Sequence, residues 1–179
     1  MMNYNESGMN FSSLFDSDKF QSFYIEKSAL YEKLKPYKVK VVEFLSVKDN
    51  TQFYFIECKS SFPDVNKFGN KVDLEVDCQK LYDKLHHTID LIVARQIGIK
   101  KHLQHKFPKE LGCSDVLEAN LVEFSKFFFL IMKGEHFTPD ACRGILFALN
   151  KKLISLRKIW DIEIKVINEK KARQLKFIK

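Results

Sequence analysis

Residues 38–47, which are rich in Val and Phe, are separated from the strand-like residues 52–60 only by Lys48-Asp49-Asn50-Thr51. Valine and phenylalanine favour strands, and a connection this short joins neighbouring antiparallel strands. The two segments therefore predict a β-hairpin. Residues 23–30 predict a further strand ahead of it, which would make the three strands a meander.

Helical periodicity follows the hairpin. Apolar residues recur at spacings of three and four between residues 72 and 96, which predicts an amphipathic helix. They are Leu74, Cys78, Leu81, Leu85, Ile89 and Ile92. A second helix is predicted from Thr138-Pro139-Asp140, because Thr suits the cap, Pro the first turn and Asp the positive end of the helix dipole.

The remaining segments complete a mixed pattern. Residues 127–132 are apolar on both faces, which is typical of a buried central strand within residues 121–133. Residues 162–167 alternate as a strand, residues from 168 onward predict a short final helix, and residues 11–20 predict a first helix. Strands joined by helical crossovers are expected to be parallel neighbours. The whole predicts a single domain of the α/β class (an α+β mixed sheet), in a chain of 179 residues.

The cysteines and the apolar runs indicate the cellular compartment in which the protein is expected. The four cysteines, Cys58, Cys78, Cys113 and Cys142, include no CxxC pair, which argues against a zinc site built from them. They lie in apolar patterns, as free thiols of a reducing compartment do, so a cytoplasmic location is expected. The longest apolar run has six residues, too short to cross a membrane, and no membrane association is expected.

The positive charge is concentrated near the C-terminus. Ten basic and three acidic residues lie between Lys151 and Lys179, a difference equal to the whole net charge of +7. A second basic group comprises Lys100, Lys101, Lys106 and Lys109. Basic clusters attract polyanions, of which nucleic acid is the commonest, although a solvated lysine-rich surface has the same composition.

Charged residues interrupt the apolar pattern of the hairpin. Glu43 is the only polar residue on its face of the second strand, and Glu57 and Lys59 share one face of the third strand. A buried carboxylate is costly unless it is paired or bound to metal, and Mg²⁺ prefers one or two carboxylates with water and phosphate oxygens. Lys59, about 7 Å along the strand from Glu57, would hold or help deprotonate a water. The alternative is an internal ion-pair cluster or an exposed face, since Glu-x-Lys is common in strands.

The segment VVEFLSVKDNTQFYFIECKSS resembles the core motif of the PD-(D/E)XK nuclease superfamily, the restriction-endonuclease-like fold. In that family an acid on the second core strand and an acid-x-lysine on the third bind Mg²⁺ and activate water. The resemblance implies that Glu43 and Glu57 bind Mg²⁺ or Mn²⁺ and that Glu43, Glu57 and Lys59 are catalytic. This sequence has Glu where the family usually has Asp, and no Pro precedes Glu43.

The resemblance also implies an architecture. The family's three-layer core has the order helix, three-strand meander, helix, strand, which would cover about residues 11–133. Residues 138–179 would add a helix, a strand and a helix. Some relatives aim Gln and Tyr from the helix after the third strand at the site, and Gln79 and Tyr82 are the candidates here, with ordinary helix surface as the alternative. Glu26 is a further candidate carboxylate.

The resulting expectation is a metal-dependent nuclease acting on DNA, with RNA as a second candidate substrate, in genome defence or DNA processing. Lys100, Lys101, Lys106, Lys109 and the basic tail would contact backbone phosphates. We expect a homo-oligomer or a subunit of a larger complex. The alternatives are a non-catalytic nuclease-fold scaffold or adaptor, and an unrelated α/β binding module.

Overall fold

The computed structural model describes residues 4–63, 71–97 and 116–179. Its strands are β1 (Asn5–Glu6), β2 (Met9–Asn10), β3 (Phe20–Phe23), β4 (Phe44–Lys48), β5 (Gln52–Lys59), β6 (Ser125–Met132) and β7 (Ile162–Asn168). Its helices are α1 (Ala29–Leu34), α2 (Lys71–Gln96), α3 (Pro139–Lys152), α4 (Ile154–Trp160) and α5 (Glu169–Gln174). Short 3₁₀ turns cover Ser12–Leu14, Ile25–Lys27 and Lys35–Tyr37.

A five-stranded mixed sheet with the order β3-β4-β5-β6-β7 forms the centre of the structure. The β3–β4 and β4–β5 pairs are antiparallel, and the β5–β6 and β6–β7 pairs are parallel. The predicted meander and the predicted parallel neighbours are both confirmed. Because β7 pairs with β6, the predicted C-terminal addition belongs to the same sheet as the rest of the chain.

Both faces of the sheet are covered. Helices α2, α3 and α4 pack on one face, against side chains such as Leu45, Phe53 and Phe55. The N-terminal residues and the C-terminal segment cover the other face, where Met9 and Phe177 are buried among aromatic rings. The described ranges therefore form a mixed α/β structure in three layers. No helix in these ranges is long and apolar enough to cross a membrane.

The β4–β5 turn has the geometry that its sequence predicts. Asp49 and Asn50 both adopt left-handed backbone conformations, with φ of +50° and +52°. Two such residues give the turn a twist that matches the flanking strands. The pairing runs from Lys48 opposite Gln52 to Phe44 opposite Ile56.

The predicted helix over residues 11–20 is wrong. Only Ser12–Leu14 forms a short 3₁₀ turn. Polar side chains bind the backbone here, since Asn10 Oδ1 accepts a hydrogen bond from the Ser12 N–H at 2.9 Å and Ser17 Oγ accepts one from the Lys19 N–H at 3.3 Å. Such local bonds compete with helix formation.

The predicted strand over residues 23–30 is also displaced. The strand β3 ends at Phe23, and a 3₁₀ turn and the helix α1 follow. Ser28 caps α1, because its Oγ accepts a hydrogen bond from the Tyr31 N–H at 3.1 Å. This N-cap lies inside the segment that was predicted to be a strand.

Residues 38–47 were predicted as one strand, but β4 begins only at Phe44. The preceding residues leave the sheet and lie against α2. The Lys40 N–H donates to His87 Nδ1 and the Val42 N–H donates to Thr88 Oγ1, both at 3.1 Å. These side chains satisfy backbone groups that a neighbouring strand would otherwise pair.

Candidate metal centre

The candidate site lies where the pairing of β4 with β5 ends. Glu57 of β5 is 0 % exposed, and Glu43, which immediately precedes β4, is 5 % exposed. The Glu43 N–H donates a hydrogen bond to the Ile56 carbonyl at 3.1 Å. With Phe44 opposite Ile56, this bond places Glu43 beside Glu57 on the neighbouring strand.

Lys84 of α2 is the main cationic partner of Glu57. Its Nζ donates to Glu57 Oε1 at 2.8 Å and to Glu57 Oε2 at 3.0 Å, and also to Glu26 Oε1 at 3.2 Å. Lys84 reaches the sheet because it is adjacent to Leu85, and one turn after Leu81, on the buried stripe of α2. Both oxygens of the buried Glu57 carboxylate are thereby paired, as burial of a charge requires.

Lys59 contacts Glu57 from the open end of the strand. Its Nζ lies 3.4 Å from Glu57 Oε1, and its side chain is 34 % exposed. The structure thus brings the three predicted site residues together, with Lys59 at the boundary between the buried carboxylate and solvent.

Two further carboxylates reach the same place. Glu26 lies in the 3₁₀ turn after β3, and its N–H donates to the Glu43 carbonyl at 3.4 Å. Glu6 of β1 accepts a hydrogen bond from the Tyr24 hydroxyl, and its Oε1 lies 3.5 Å from Lys27 Nζ. Glu26, predicted as an auxiliary carboxylate, is therefore beside the two main acids.

One carboxylate oxygen from each of Glu6, Glu26 and Glu43 lies within 4.8 Å of the other two. We call these three residues with Glu57 the glutamate cluster. Three lysines contact it at 4.0 Å or less in the described residues, namely Lys27, Lys59 and Lys84. With all four carboxyl groups ionised, the cluster has one more carboxylate than ammonium partners, and a divalent cation is one ligand that would balance it.

Glu43 carries the electrostatic strain of the cluster. Burial, together with the neighbouring charge of Glu57, raises the pKa of Glu43 to about 9, although a hydrogen bond from the Cys58 thiol opposes the shift. Its Oε2 atom is buried and has no hydrogen-bond partner among the described residues. A buried carboxyl oxygen without a partner is costly, and a cation would relieve that cost.

Glu57 is compensated where Glu43 is not. Burial raises the pKa of Glu57, and the charges of Lys84 and Lys59 oppose this rise. Burial alone would lower the pKa of Lys84, but the charges of Glu57 and Glu26 raise it above its ordinary value. The ammonium of Lys84 is thus held in its charged form by the carboxylates around it.

A pocket of about 460 Å³ adjoins the carboxyl end of β5. The residues that follow β5 line one side and the first turns of α2 line the other: Ser61, Phe62, Pro63, Asp73, Val76, Asp77 and Lys80. Lys80 is one helical turn before Lys84 on α2. Open space is therefore present beside the residues that follow Lys59.

The other predicted residues have different surroundings. Gln79 donates a hydrogen bond to Asp83 of the same helix at 2.7 Å. The Tyr82 ring lies 5.5 Å from the His86 ring and packs against the hydrophobic core on the α2 face of the sheet. The predicted phosphate contacts lie outside the described residues. They are Lys100, Lys101, Lys106 and Lys109.

Sequence reasoning missed Glu6 and Lys84. Lys84 is adjacent to the apolar stripe of α2, and Thr88, one turn later, is a second polar residue on the same border. A lysine at the border of a buried stripe next to an acid-bearing hairpin is a usable signal. Glu6 has no such signal, because residues 4–10 show no periodicity, and the β1–β2 pairing depends on a two-residue turn at Ser7-Gly8.

Comparison with protein-family models finds no match, and neither the curated proteins nor the solved structures contain one.

Proposed function

We propose that this protein is a divalent-metal-dependent phosphodiesterase that hydrolyses DNA. The observation that carries the proposal is the convergence of Glu43, Glu57 and Lys59 at one strand end, next to two more glutamates. The same three residues carry the resemblance to the PD-(D/E)XK motif. An acid immediately before the second strand of the meander and an acid-x-lysine on the third follow the order of that motif.

The residues fit a hard cation. All of the oxygen ligands are carboxylates, which Mg²⁺ and Mn²⁺ accept, and the unpartnered Oε2 of Glu43 is a ready ligand atom. In the motif, Glu43 and Glu57 would hold the ion. When bound, it would polarise a phosphoryl oxygen and lower the pKa of a coordinated water.

Lys59 has the position that the reaction needs. Its ammonium contacts the buried Glu57 and is partly exposed, so it can hold a water or a phosphate oxygen at the edge of the cluster. A lysine in this place would orient the attacking water and offset negative charge that develops on the phosphoryl group.

Basic residues at the same end of the sheet favour nucleic acid as the substrate. In register, Lys59 of β5 is opposite Met132 of β6, which is opposite Asn168 of β7. Lys133 follows β6 at that end, and α5 begins there with Lys170 and Lys171 among its first residues. Backbone phosphates are the groups that such lysines contact.

The first experiment is cleavage of supercoiled plasmid and of single-stranded DNA with Mg²⁺ or Mn²⁺, comparing wild type with Lys59→Ala and Glu57→Gln. Removal of a catalytic group is expected to slow cleavage by about 100-fold or more. The matched controls are Lys165→Ala and Glu163→Gln, because Glu163-Ile164-Lys165 of β7 repeats the Glu-x-Lys pattern with the same N···O distance of 3.4 Å.

Thermal unfolding of each variant establishes that it is folded. Lys59→Ala is the decisive variant if Glu57→Gln is unstable, since the Lys59 side chain is partly exposed. Cleavage that is equal in wild type and Lys59→Ala, or absent from folded wild type with either metal, would contradict the proposal.

A second candidate function is a non-catalytic scaffold of similar fold. The observation that favours it is the closed pairing of the fully buried Glu57 with Lys84 and Lys59. If the protein is such a scaffold, it should cleave no DNA with either Mg²⁺ or Mn²⁺. Neither metal should then change its thermal stability.

A further inference from the structure

We infer that the divalent cation binds between Glu6, Glu26 and Glu43, so that the N-terminal β1–β2 hairpin supplies one of its ligands. This inference names the ligands of the cation in the proposed function. It rests on that function only for the role that the cation would have. It differs from the motif described above, which assigns the ion to Glu43 and Glu57.

The spacing of the oxygens suits one ion. Ligand oxygens on opposite sides of Mg²⁺ are about 4.2 Å apart, and those around Ca²⁺ are about 4.6 to 5.2 Å apart. One oxygen of each of Glu6, Glu26 and Glu43 lies within 4.8 Å of the others. Around Mg²⁺ or Mn²⁺ at most one pair of three oxygens can lie on opposite sides, and neighbouring oxygens are about 3 Å apart, so the three carboxylates would have to draw closer by rotation about their side-chain bonds.

An independent observation points to a ligand at this place. Glu43 is 5 % exposed, and its Oε2 has no hydrogen-bond partner within the described part of the chain. One of its carboxyl oxygens lies within 4.8 Å of an oxygen of Glu6 and of Glu26. A proton or a cation stabilises a buried carboxyl oxygen that has no donor, and the two neighbouring carboxylates favour a cation.

Glu57 is not needed as a ligand of the cation, because lysines already pair its carboxylate. Both of its oxygens accept hydrogen bonds from Lys84, at 2.8 and 3.0 Å, and Lys59 lies 3.4 Å from one of them. A cation at Glu57 would have to displace a buried ammonium. A cation at Glu43 displaces no hydrogen bond from Oε2.

The hairpin is built to hold Glu6 against the sheet. Ser7 Oγ donates to the Cys58 carbonyl at 3.3 Å, and Lys133 Nζ donates to the Gly8 carbonyl at 2.9 Å. Gly8 has a φ of +71°, which a glycine adopts without strain. Met9 is buried at 2 % exposure. A cation shared by Glu6 and Glu43 would add a link between this hairpin and the start of β4.

The test is Mn²⁺ binding to the full chain without nucleic acid, followed by electron paramagnetic resonance and by isothermal titration calorimetry. Wild type is expected to bind one Mn²⁺ at this site. Glu6→Gln, Glu26→Gln and Glu43→Gln are each expected to weaken binding by about tenfold or more, whereas Glu57→Gln, which removes a charge beside Glu43 but none of these three ligands, is expected to weaken it less than any of them. Glu32→Gln, at an exposed residue of α1, is the matched control.

Hydrogen exchange gives a second readout. Mg²⁺ is expected to slow amide exchange in residues 5–10 of wild type at least threefold and to leave it unchanged in Glu6→Gln. Tyr24→Phe removes the hydroxyl that donates to Glu6 but keeps the carboxylate. It is therefore expected to retain Mn²⁺ binding within about threefold, which separates loss of a ligand from loosening of the hairpin.

Each outcome decides the inference. No Mn²⁺ binding by folded wild type, or binding that Glu57→Gln abolishes and Glu6→Gln leaves intact, would overturn it. Binding that depends on Glu6 without any DNA cleavage would support the site and sink the nuclease proposal, so the two failures are distinguishable.

Discussion

Two strands of the sheet carry the same Glu-x-Lys pattern, Glu57-Cys58-Lys59 on β5 and Glu163-Ile164-Lys165 on β7. In both, the lysine Nζ lies 3.4 Å from a glutamate oxygen. Glu57 is fully buried on a strand that is paired on both sides, whereas the Glu163 side chain is 61 % exposed on the edge strand.

The neighbours make the difference between the two pairs. The Glu57 carboxylate is met by Lys84 from α2 and lies beside Glu43 from the adjacent strand. The Lys165 ammonium lies over the Phe127 ring, 4.7 Å from its centre. The Glu-x-Lys spacing therefore produces an ion pair on either strand. Only the strand position and the helix above it turn that pair into a charged, water-poor cluster.

The largest effect is expected from Lys84→Met. Removal of one partner of a buried ion pair leaves an uncompensated carboxylate, so the free energy of unfolding should fall by about 3 to 5 kcal/mol. Lys165→Met on β7 should change it by less than about 1 kcal/mol. Urea unfolding at pH 7 measures both, and the double variant Lys84→Met/Glu57→Gln should recover part of the loss. Equal effects of the two single variants would erase the proposed difference between the strands.

The next effect is expected from Thr88→Val, which removes the acceptor for the Val42 N–H and keeps the side-chain shape. An unpaired buried donor costs about 1 to 3 kcal/mol. The variant should also weaken Mn²⁺ binding, because residues 40–42 position Glu43. Denaturant unfolding and calorimetry check the two expectations, and an unchanged unfolding free energy would show that the α2 anchor is dispensable.

Glu43→Gln is expected to have the opposite sign. The pKa of Glu43 is about 9 in the folded chain and 4.5 in an ordinary environment, so the folded state holds the extra proton between these values. Stability of the metal-free wild type should therefore fall as pH rises through this window. At pH 8 the variant should be more stable by about 1 kcal/mol, or about 2 to 4 °C in Tm, and the gain should shrink toward pH 4.5.

Thermal unfolding across pH, with a chelator present, provides this measurement. Glu163→Gln serves as the control and should show no such trend, because its side chain is mostly in water. A stability difference that grows toward acid pH would refute the assignment of Glu43 as the strained carboxylate.

The smallest stability effect is expected from Lys59→Ala and Lys165→Ala. Both lysines are partly exposed, and such pairs contribute about 0 to 1 kcal/mol. Their consequences for DNA cleavage should nevertheless differ by about 100-fold, since only Lys59 adjoins the glutamate cluster. Melting curves and cleavage rates of both variants provide the measurement. Equal cleavage rates would contradict the proposed difference between the Glu-x-Lys pairs of β5 and β7.

The parts of the fold that were predicted correctly depend mostly on patterns between residues that are close in the sequence. The short Asp49-Asn50 turn and the apolar stripe of α2 are each determined by residues close in the chain. The segment before β4 was mispredicted because its valines favour a strand, yet His87 and Thr88, more than 40 residues away, take its backbone groups. The alternating pattern by which a strand is predicted carries no information about contacts with a helix that is distant in the sequence.

The same limit applies to the candidate site. Glu43, Glu57 and Lys59 were accessible to prediction because they stand out on apolar strand faces. Glu6 and Lys84 join them only through the tertiary fold, one from a hairpin of four paired residues and the other from the border of a helix. A cluster of four carboxylates from four separate segments leaves no single spacing in the sequence.

The anchoring of residues 40–42 on α2 has a mechanical consequence. Lys84 belongs to α2, and Glu43 directly follows the anchored segment, whereas Glu57 is fixed in the middle of the sheet. Because Lys84 also donates to Glu57, one short stretch of α2, from Lys84 to Thr88, holds both β5 and the segment that leads into β4. The relative position of Glu43 and Glu57 therefore depends on one turn of this helix as well as on the pairing of the sheet.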